Sequence, residues 1–328
     1  MSKQEISIPT LALKITSEAA AYEYLEGLRW NGETVCPHCG EIGTAYFLKP
    51  ANGTSRRTRT GSISERRVWK CKGCRKQFSV LTGTIFHGTK IPVRVWLFVV
   101  FEMCASKNGV SAREIERKYD LTPKTAWFMV HRIREAMKRE PLAGLLSGTV
   151  ASDETWIGGT PANRPKHKRP VRKMWDVNRT EKPVVQALVH AETGEVRTQV
   201  IANVKGDTLR EMIAANVDMP NSTLVTDEAK GYKKFADEFA GHETVVHAHD
   251  EYVNEGGYST NAVEGYFSQL KRSIDGTHHH VSVEHLPRYL AEYDYRYTTR
   301  GMDDSARMVD VIGNTVGRRL TYRPLTGD

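Results

Sequence analysis

No run in this 328-residue sequence is apolar for long enough to cross a bilayer. The longest, "VWLFVVF" at 95–101, falls far short of the roughly 20 residues that a spanning helix requires. The opening residues also lack the charged, apolar and small blocks of a secretory leader, so the sequence predicts a cytoplasmic protein with no membrane partner. Cysteine is scarce, at 5 residues, which argues against a disulfide scaffold. Internal repeats are missing, and hydrophobic residues at 39% with charged residues at 26% describe a globular chain of two or three folded units. Acid is nearly absent from two stretches. Residues 49–76 hold ten Lys/Arg against one acid, and 164–182 hold eight against two, within a net charge of +8. Basic clustering of this kind is the footprint of a polyanion partner.

The few cysteines are not scattered. Cys36 and Cys39 lie in "VCPHCG", and Cys71 and Cys74 in "WKCKGCRKQF". Two residues between each pair make a knuckle that turns both thiolates toward one ion, so together the pairs predict a tetrahedral four-sulfur zinc site, structural because four protein ligands leave no open position. The polar, basic stretch "NGTSRRTRTGSISERR" between the knuckles reads as a mobile insertion able to lie along phosphates, with Arg56, Arg57 and Arg59 as its contacts. Cys104, in an apolar segment, reads as an ordinary core residue.

Ser17 caps a short helix over 17–29, and the helical period returns from "PVRVWLFVVFEMCAS" onward. In "GVSAREIERKYDLTPKTAWFMVHRIREAM" one helix ends at "YDLT" and a second opens at Thr122 with Pro123 in its first position. The pattern suits a helix-turn-helix whose second helix offers Lys124, Thr125, His131 and Arg132 to DNA, and equally a helical linker bundle. Beyond residue 147 the texture becomes short strands and helices. The order β-β-β-α-β-α-β-α predicts a mixed sheet with helices on its faces, the second helix covering "YKKFADEFA".

Three acids fall at element ends in that region. Asp153 lies on the first strand and Asp227 closes the fourth, while Glu264 sits on the amphipathic helix in "STNAVEGYFSQLKRSI". Val263, Phe267, Leu270 and Ile274 form the apolar stripe of that helix; Asn261, Glu264, Ser268 and Lys271 form a second, polar one. Carboxylates brought together repel one another and take up protons unless a cation joins them. Hard oxygen ligands point to magnesium or manganese, and a pair of such ions drives in-line displacement at phosphorus. Lys271 and Arg272 would meet DNA phosphate from the same helix. Glu154 and Glu228 adjoin the two aspartates, and strand alternation alone does not choose between neighbours. The "HHH" run at 278–280 reads as a surface or DNA-proximal turn or a metal cluster, and His242, His247 and His249 as structural histidines.

Taken together, "LRWNGETVCPHCG", "FSVLTGTIF", "SDETWIGG", "RPKHKR", "VTDEAKGY" and "STNAVEGYFSQLKRSIDGTHHHVSVEHLPRYLAEYDYRY" resemble the DDE insertion-sequence transposases of the ISXO type over about residues 17–300. The resemblance implies an α/β fold, with an RNase H-like mixed-sheet catalytic domain preceded by a zinc ribbon and a helix-turn-helix-like domain. It places the first two catalytic aspartates on Asp153 and Asp227 and the third acid on Glu264, with Asn261 beside it as the other candidate, since relatives carry an acid or an amide there. The expected segments are 1–34 helical, 35–90 ribbon with basic insertion, 91–146 helix-turn-helix-like, 147–300 catalytic and 301–328 a tail. Lys166, Lys168 and Arg169 of the "RPKHKR" insertion join the expected DNA contacts. Expected partners are double-stranded DNA, as terminal inverted repeats and target, and a second copy of the chain, since joining two ends takes two sites. A nucleoid-associated bacterial enzyme is implied. The competing readings are a zinc-ribbon DNA-binding regulator that cuts nothing and a structure-selective nuclease that joins nothing.

Overall fold

The computed structural model describes residues 6–50, 56–57, 61, 63–139, 144–158, 182–227, 231–245, 257–322 and 325. Arg59, Lys166, Lys168, Arg169, Glu228, His247 and His249 lie outside the described residues. The chain forms two compact units, Met1–Met137 with Gly301–Asp328, and Lys138–Arg300.

In the first unit, α1 (Ile8–Lys14) begins with a capping box in which Ser7 and Thr10 satisfy each other's free backbone N–H groups. Ser17 caps α2 (Glu18–Trp30) by accepting from the Ala20 N–H. A small antiparallel sheet follows: β1 (Ala45–Phe47) pairs with β4 (Trp69–Cys71), which pairs with β5 (Gln77–Phe78). Within the basic insertion, expected to be mobile, β2 (Arg56–Arg57) and β3 (Ile63–Ser64) form a short hairpin. Helix α3 (Val93–Ala105) contains the longest apolar run and buries eight of its thirteen residues, Cys104 among them. The next pair is α4 (Ala112–Tyr119), capped by Ser111, and α5 (Pro123–Met137). Asp120 ends α4 in the left-handed conformation at φ 49°, and the Thr122 hydroxyl accepts from the Thr125 N–H to open α5. Residues 301–328, expected as a tail, instead contain α9 (Asp304–Gly313), which packs on α2, α3 and α5.

The second unit is built on a five-stranded sheet. It comprises β6 (Leu146–Trp156), β7 (Val184–His190), β8 (Val196–Ile201), β9 (Val217–Thr226) and β10 (Gly241–Thr244), in the order β10-β9-β6-β7-β8. The hairpins β6–β7–β8 are antiparallel, whereas β6–β9 and β9–β10 are parallel. This is the expected mixed sheet, in the layout implied for an RNase H-like domain. Helix α6 (Gly206–Asn216) covers one face through Leu209, Met212 and Ile213. On the other face lie α7 (Asn261–Ser273) and α8 (Leu286–Thr298). The apolar stripe of α7, with Val263, Phe267, Leu270 and Ile274 all buried, contributes about 1.5–3 kcal/mol per side chain to that packing.

Residues 232–240 correct one expectation. They form two 3-10 turns, Tyr232–Lys234 and Ala236–Glu238, where the sequence suggested an α-helix. Phe235, at φ −137° and ψ 17°, breaks the helical path between them. Tyr232, Phe235 and Phe239 all enter the core beside α6, and the broken path lets each reach it.

Candidate active site and zinc centre

Strand alternation divides the acids of β6. Ala151 packs in the core beneath α7, and Val150 packs in the core beneath α6. Asp153 therefore projects with Ala151 toward the α7 face, and Glu154 projects with Val150 and Ser152 toward the opposite one. Val225 shares the α7-side core while Leu224 shares the other, so the same alternation carries Asp227, one residue past β9, to the α7 side. Glu264 lies half-buried in the first turn of α7, where its Oε1 accepts from the buried Thr260 hydroxyl at 2.8 Å. Asn261 and Lys271 lie exposed on the same polar stripe, and Arg272 is exposed next to Lys271.

The electrostatics of Asp153 record this convergence. Burial pushes its carboxyl up to about 6, an effect opposed by the Glu154 N–H that it accepts from at 2.7 Å. The charges of Asp227 and Glu264 raise it further, and Lys271 pulls it down. Glu154 is pushed up to about 7, chiefly by burial, against the hydrogen bond donated by Tyr232; Asp153 and Asp227 add to the rise. Glu264 perturbs Asp153 and is not among the groups that shift Glu154. Of the two neighbouring acids, Asp153 is thus the one that shares a face with α7.

The chemistry of this donor set is hard oxygen throughout, the kind that magnesium and manganese favour. It is less compact than the cysteine quartet, which is the tight group of metal-type ligands among the described residues. A pair of ions about 3.5–4 Å apart asks for such a wider spread.

At the quartet the fit is close. All four thiol sulfurs lie within 4.8 Å of one another, with Cys36 to Cys74 and Cys39 to Cys71 both at 3.7 Å and no disulfide formed. A tetrahedron with Zn–S bonds of 2.3 Å has edges of roughly 3.8 Å. Local hydrogen bonds shape each knuckle: the Gly40 N–H donates to the Cys36 carbonyl, and the Cys71 N–H to the Lys76 carbonyl. The four cysteines fit structural zinc.

The expected DNA contacts divide. Arg57 is exposed and Arg56 half-buried on the hairpin, and the Lys124 ammonium lies 4.2 Å from the centre of the Tyr322 ring near the start of α5. Arg132 is corrected. Only 4% exposed, it donates to the His87 carbonyl at 2.8 Å and lies over the rings of Trp96 and Phe128. It is a packing residue of the first unit, and His131 beside it is fully buried. The histidine run forms no ligand cluster among the described residues. His278 stands edge-on to Tyr289 at the end of a π-helical turn, and His279 and His280 are exposed. His242 shares a hydrogen bond with the Thr226 hydroxyl at 2.9 Å, in keeping with a structural role.

Sequence reasoning missed Tyr232 and Ser152, which hold the far side of β6 behind Asp153. The signal available was weak, a tyrosine shortly after the second aspartate.

Residues 145–298 match the family model described as the ISXO2-like transposase domain, and residues 16–77 match the transposase zinc-ribbon domain. A protein of Halobacterium salinarum described as an uncharacterized protein in transposable element ISH50 is 26% identical over 286 residues, covering 85% of this chain and 90% of that relative. The ribbon match spans Cys36, Cys39, Cys71 and Cys74, and the second spans Asp153, Asp227 and Glu264. With its zinc ribbon preceding the mixed-sheet domain, the chain carries the two domains of an ISXO2-like insertion-sequence transposase.

Proposed function

We propose that this transposase cuts at transposon ends and joins them to target DNA by metal-dependent phosphoryl transfer, with Asp153, Asp227 and Glu264 as the ion-binding acids. The reading rests on three acids at the α7 side of the sheet, with the half-buried Asp153 carboxyl raised to about 6 within the fields of Asp227 and Glu264. A regulator that only binds DNA gains nothing from acids grouped in this way. Magnesium or manganese, when bound there, supplies a water of lowered pKa and neutralises charge on the phosphoryl oxygens. The chain's own residues position and balance. Asp153 gives up its proton as it becomes a ligand. Thr260 holds the Glu264 carboxylate in one orientation. Lys271 and Arg272 offer exposed cations to a DNA phosphate. Asn261, one turn before Glu264, offers an amide to the same face.

Terminal-repeat recognition falls to the ribbon, within 35–90, and to the helix-turn-helix-like pair, within 91–146, while the chemistry falls to 147–300. Arg56, Arg57 and Lys124 are the contacts this reading keeps, and Arg59, Lys166, Lys168 and Arg169 belong to it by charge alone. Two ends require two active sites, so the working form is a dimer or larger assembly on double-stranded DNA. The test is strand transfer with magnesium on the element's terminal repeats, comparing Asp153→Ala, Asp227→Ala and Glu264→Ala. Loss of nicking and joining with DNA binding retained supports the assignment. Joining at the unmutated rate in all three sinks it. Nicking without joining by the unmutated protein points to the nuclease reading.

A further inference from the structure

Ser152 and Glu154 flank Asp153 in sequence, and both project to the opposite face of the sheet. There they meet one phenol. The Tyr232 oxygen lies 2.9 Å from Ser152 Oγ, and the Tyr232 hydroxyl donates to the Glu154 carboxylate. Gln186, paired opposite Glu154 on β7, donates its amide N–H to Ser152 Oγ at 3.3 Å. A phenol carries one proton, so the protons run in one direction: Gln186 to Ser152, Ser152 to Tyr232, Tyr232 to Glu154. Hydrogen bonds in such a chain polarise and strengthen one another. Tyr232 has no exposed surface. It sits among Leu209, Phe235 and Phe239, in a segment that approaches α6 backbone to backbone: a Cβ on Gly206 would fall 2.7 Å from the Gly231 carbonyl. That segment begins shortly after Asp227. One side chain therefore ties the strand bearing the first aspartate, on both sides of it, to the chain leaving the second.

Glu154 makes this arrangement expensive to keep. No cation pairs with it among the described residues, and a half-buried carboxylate without one is a poor choice for stability, since apolar packing fills such a site at lower cost. We infer that Tyr232 is a positioning residue, whose phenol fastens Ser152 and Glu154 and thereby fixes where the Asp153 carboxylate stands relative to Asp227. The inference rests on the reading of Asp153 and Asp227 as ion ligands. Groups that orient metal ligands without touching the metal change affinity by about 10–100-fold when removed.

The experiment is Mn2+ binding by the full-length protein, followed by the loss of the free-ion electron paramagnetic resonance signal well below the melting temperature. Tyr232→Phe removes the hydroxyl and keeps the ring. It is expected to bind the same number of ions at about 10-fold higher half-saturating Mn2+, with terminal-repeat binding unchanged. Wild-type half-saturation in Tyr232→Phe, when Asp153→Asn has lost an ion, overturns the inference and leaves the active-site reading standing. An unchanged Mn2+ count in Asp153→Asn sinks the active-site reading instead. If Tyr232→Phe does not fold, Ser152→Ala carries the test by removing one of the phenol's two anchors, and a wild-type titration from it overturns the inference.

Discussion

At the scale of single residues, Asp153 links the proposed ion site to the stability of the fold. Its carboxyl rises from 3.8 to about 6 on folding, so the folded chain holds this proton more tightly than the unfolded one does. The fold is therefore favoured while Asp153 is protonated, loses stability as pH rises between about 4 and about 6, and stays at the lower level above that. The loss is at most about 3 kcal/mol at 1.36 kcal/mol per pKa unit, and less where solvent reaches the group. Asp153→Asn removes the half-buried charge. Without divalent ions it is expected to melt above the wild type at pH 8, with the difference closing near pH 4. Thermal unfolding of the two proteins at both pH values measures this, and equal melting at pH 8 contradicts it. Protons and divalent ions compete for the same oxygens, so half-saturating Mn2+ is expected to climb as pH falls below about 6. Strand alternation alone did not separate Asp153 from Glu154 in the sequence, and only the family resemblance favoured Asp153. Both sit on one strand, and only the placement of α7 over one face assigns them different surroundings.

At the scale of elements, what could be read depended on whether the signal was local. The stripe of α7, the caps at Ser17 and Thr122 and the two cysteine knuckles are set by neighbours a few residues apart, and each appears as expected. The segment 232–240 and the side chain of Arg132 depend on distant partners. An arginine on a helix looks the same in sequence whether it meets solvent or stacks on Trp96 from another helix. The two cations of α5 should separate accordingly. Lys124→Ala is expected to weaken terminal-repeat binding and reduce its salt slope by about 1 while leaving the melting temperature unchanged. Arg132→Ala is expected to lower the melting temperature, because the stacked aromatics lose their cover and the His87 carbonyl its donor. Salt-dependent binding curves together with melting curves distinguish the two, and a salt-slope change in Arg132→Ala at unchanged melting would return it to the DNA surface. For the ribbon, metal analysis should find about one zinc per chain. Chelation should raise amide exchange around both knuckles, because the ion is what joins the four thiolates of the two knuckles.

At the scale of the whole molecule, the chain leaves its first compact unit at Met137, builds the second, and returns at Gly301 to complete the first. That return was not legible. The last residues read as a tail because one short helix carries little period of its own and its partners lie some two hundred residues earlier. Helix α9 buries Met308, Val311 and Ile312, begins with Asp303 accepting from the Ala306 N–H, and packs on α3. The Arg307 guanidinium donates to the Cys104 carbonyl at 3.0 Å. Beyond the helix, Thr84 pairs with Val316, and the Gly317 N–H donates to the Gly83 carbonyl. Three buried apolar side chains at about 1.5–3 kcal/mol each, with a cap worth about 1 kcal/mol, are a large fraction of the ~5–15 kcal/mol by which a domain is stable. A chain ending at Arg300 is therefore expected to lose protection from hydrogen exchange in α2, α3 and residues 79–89, while β6, β7 and β9 keep theirs. Terminal-repeat binding should fall with it, since the helices proposed for recognition, α4 and α5, share that unit with α9. Full protection of α3 in the shortened chain would make the C-terminal segment a dispensable tail after all, and the first unit would then have to be self-sufficient without it.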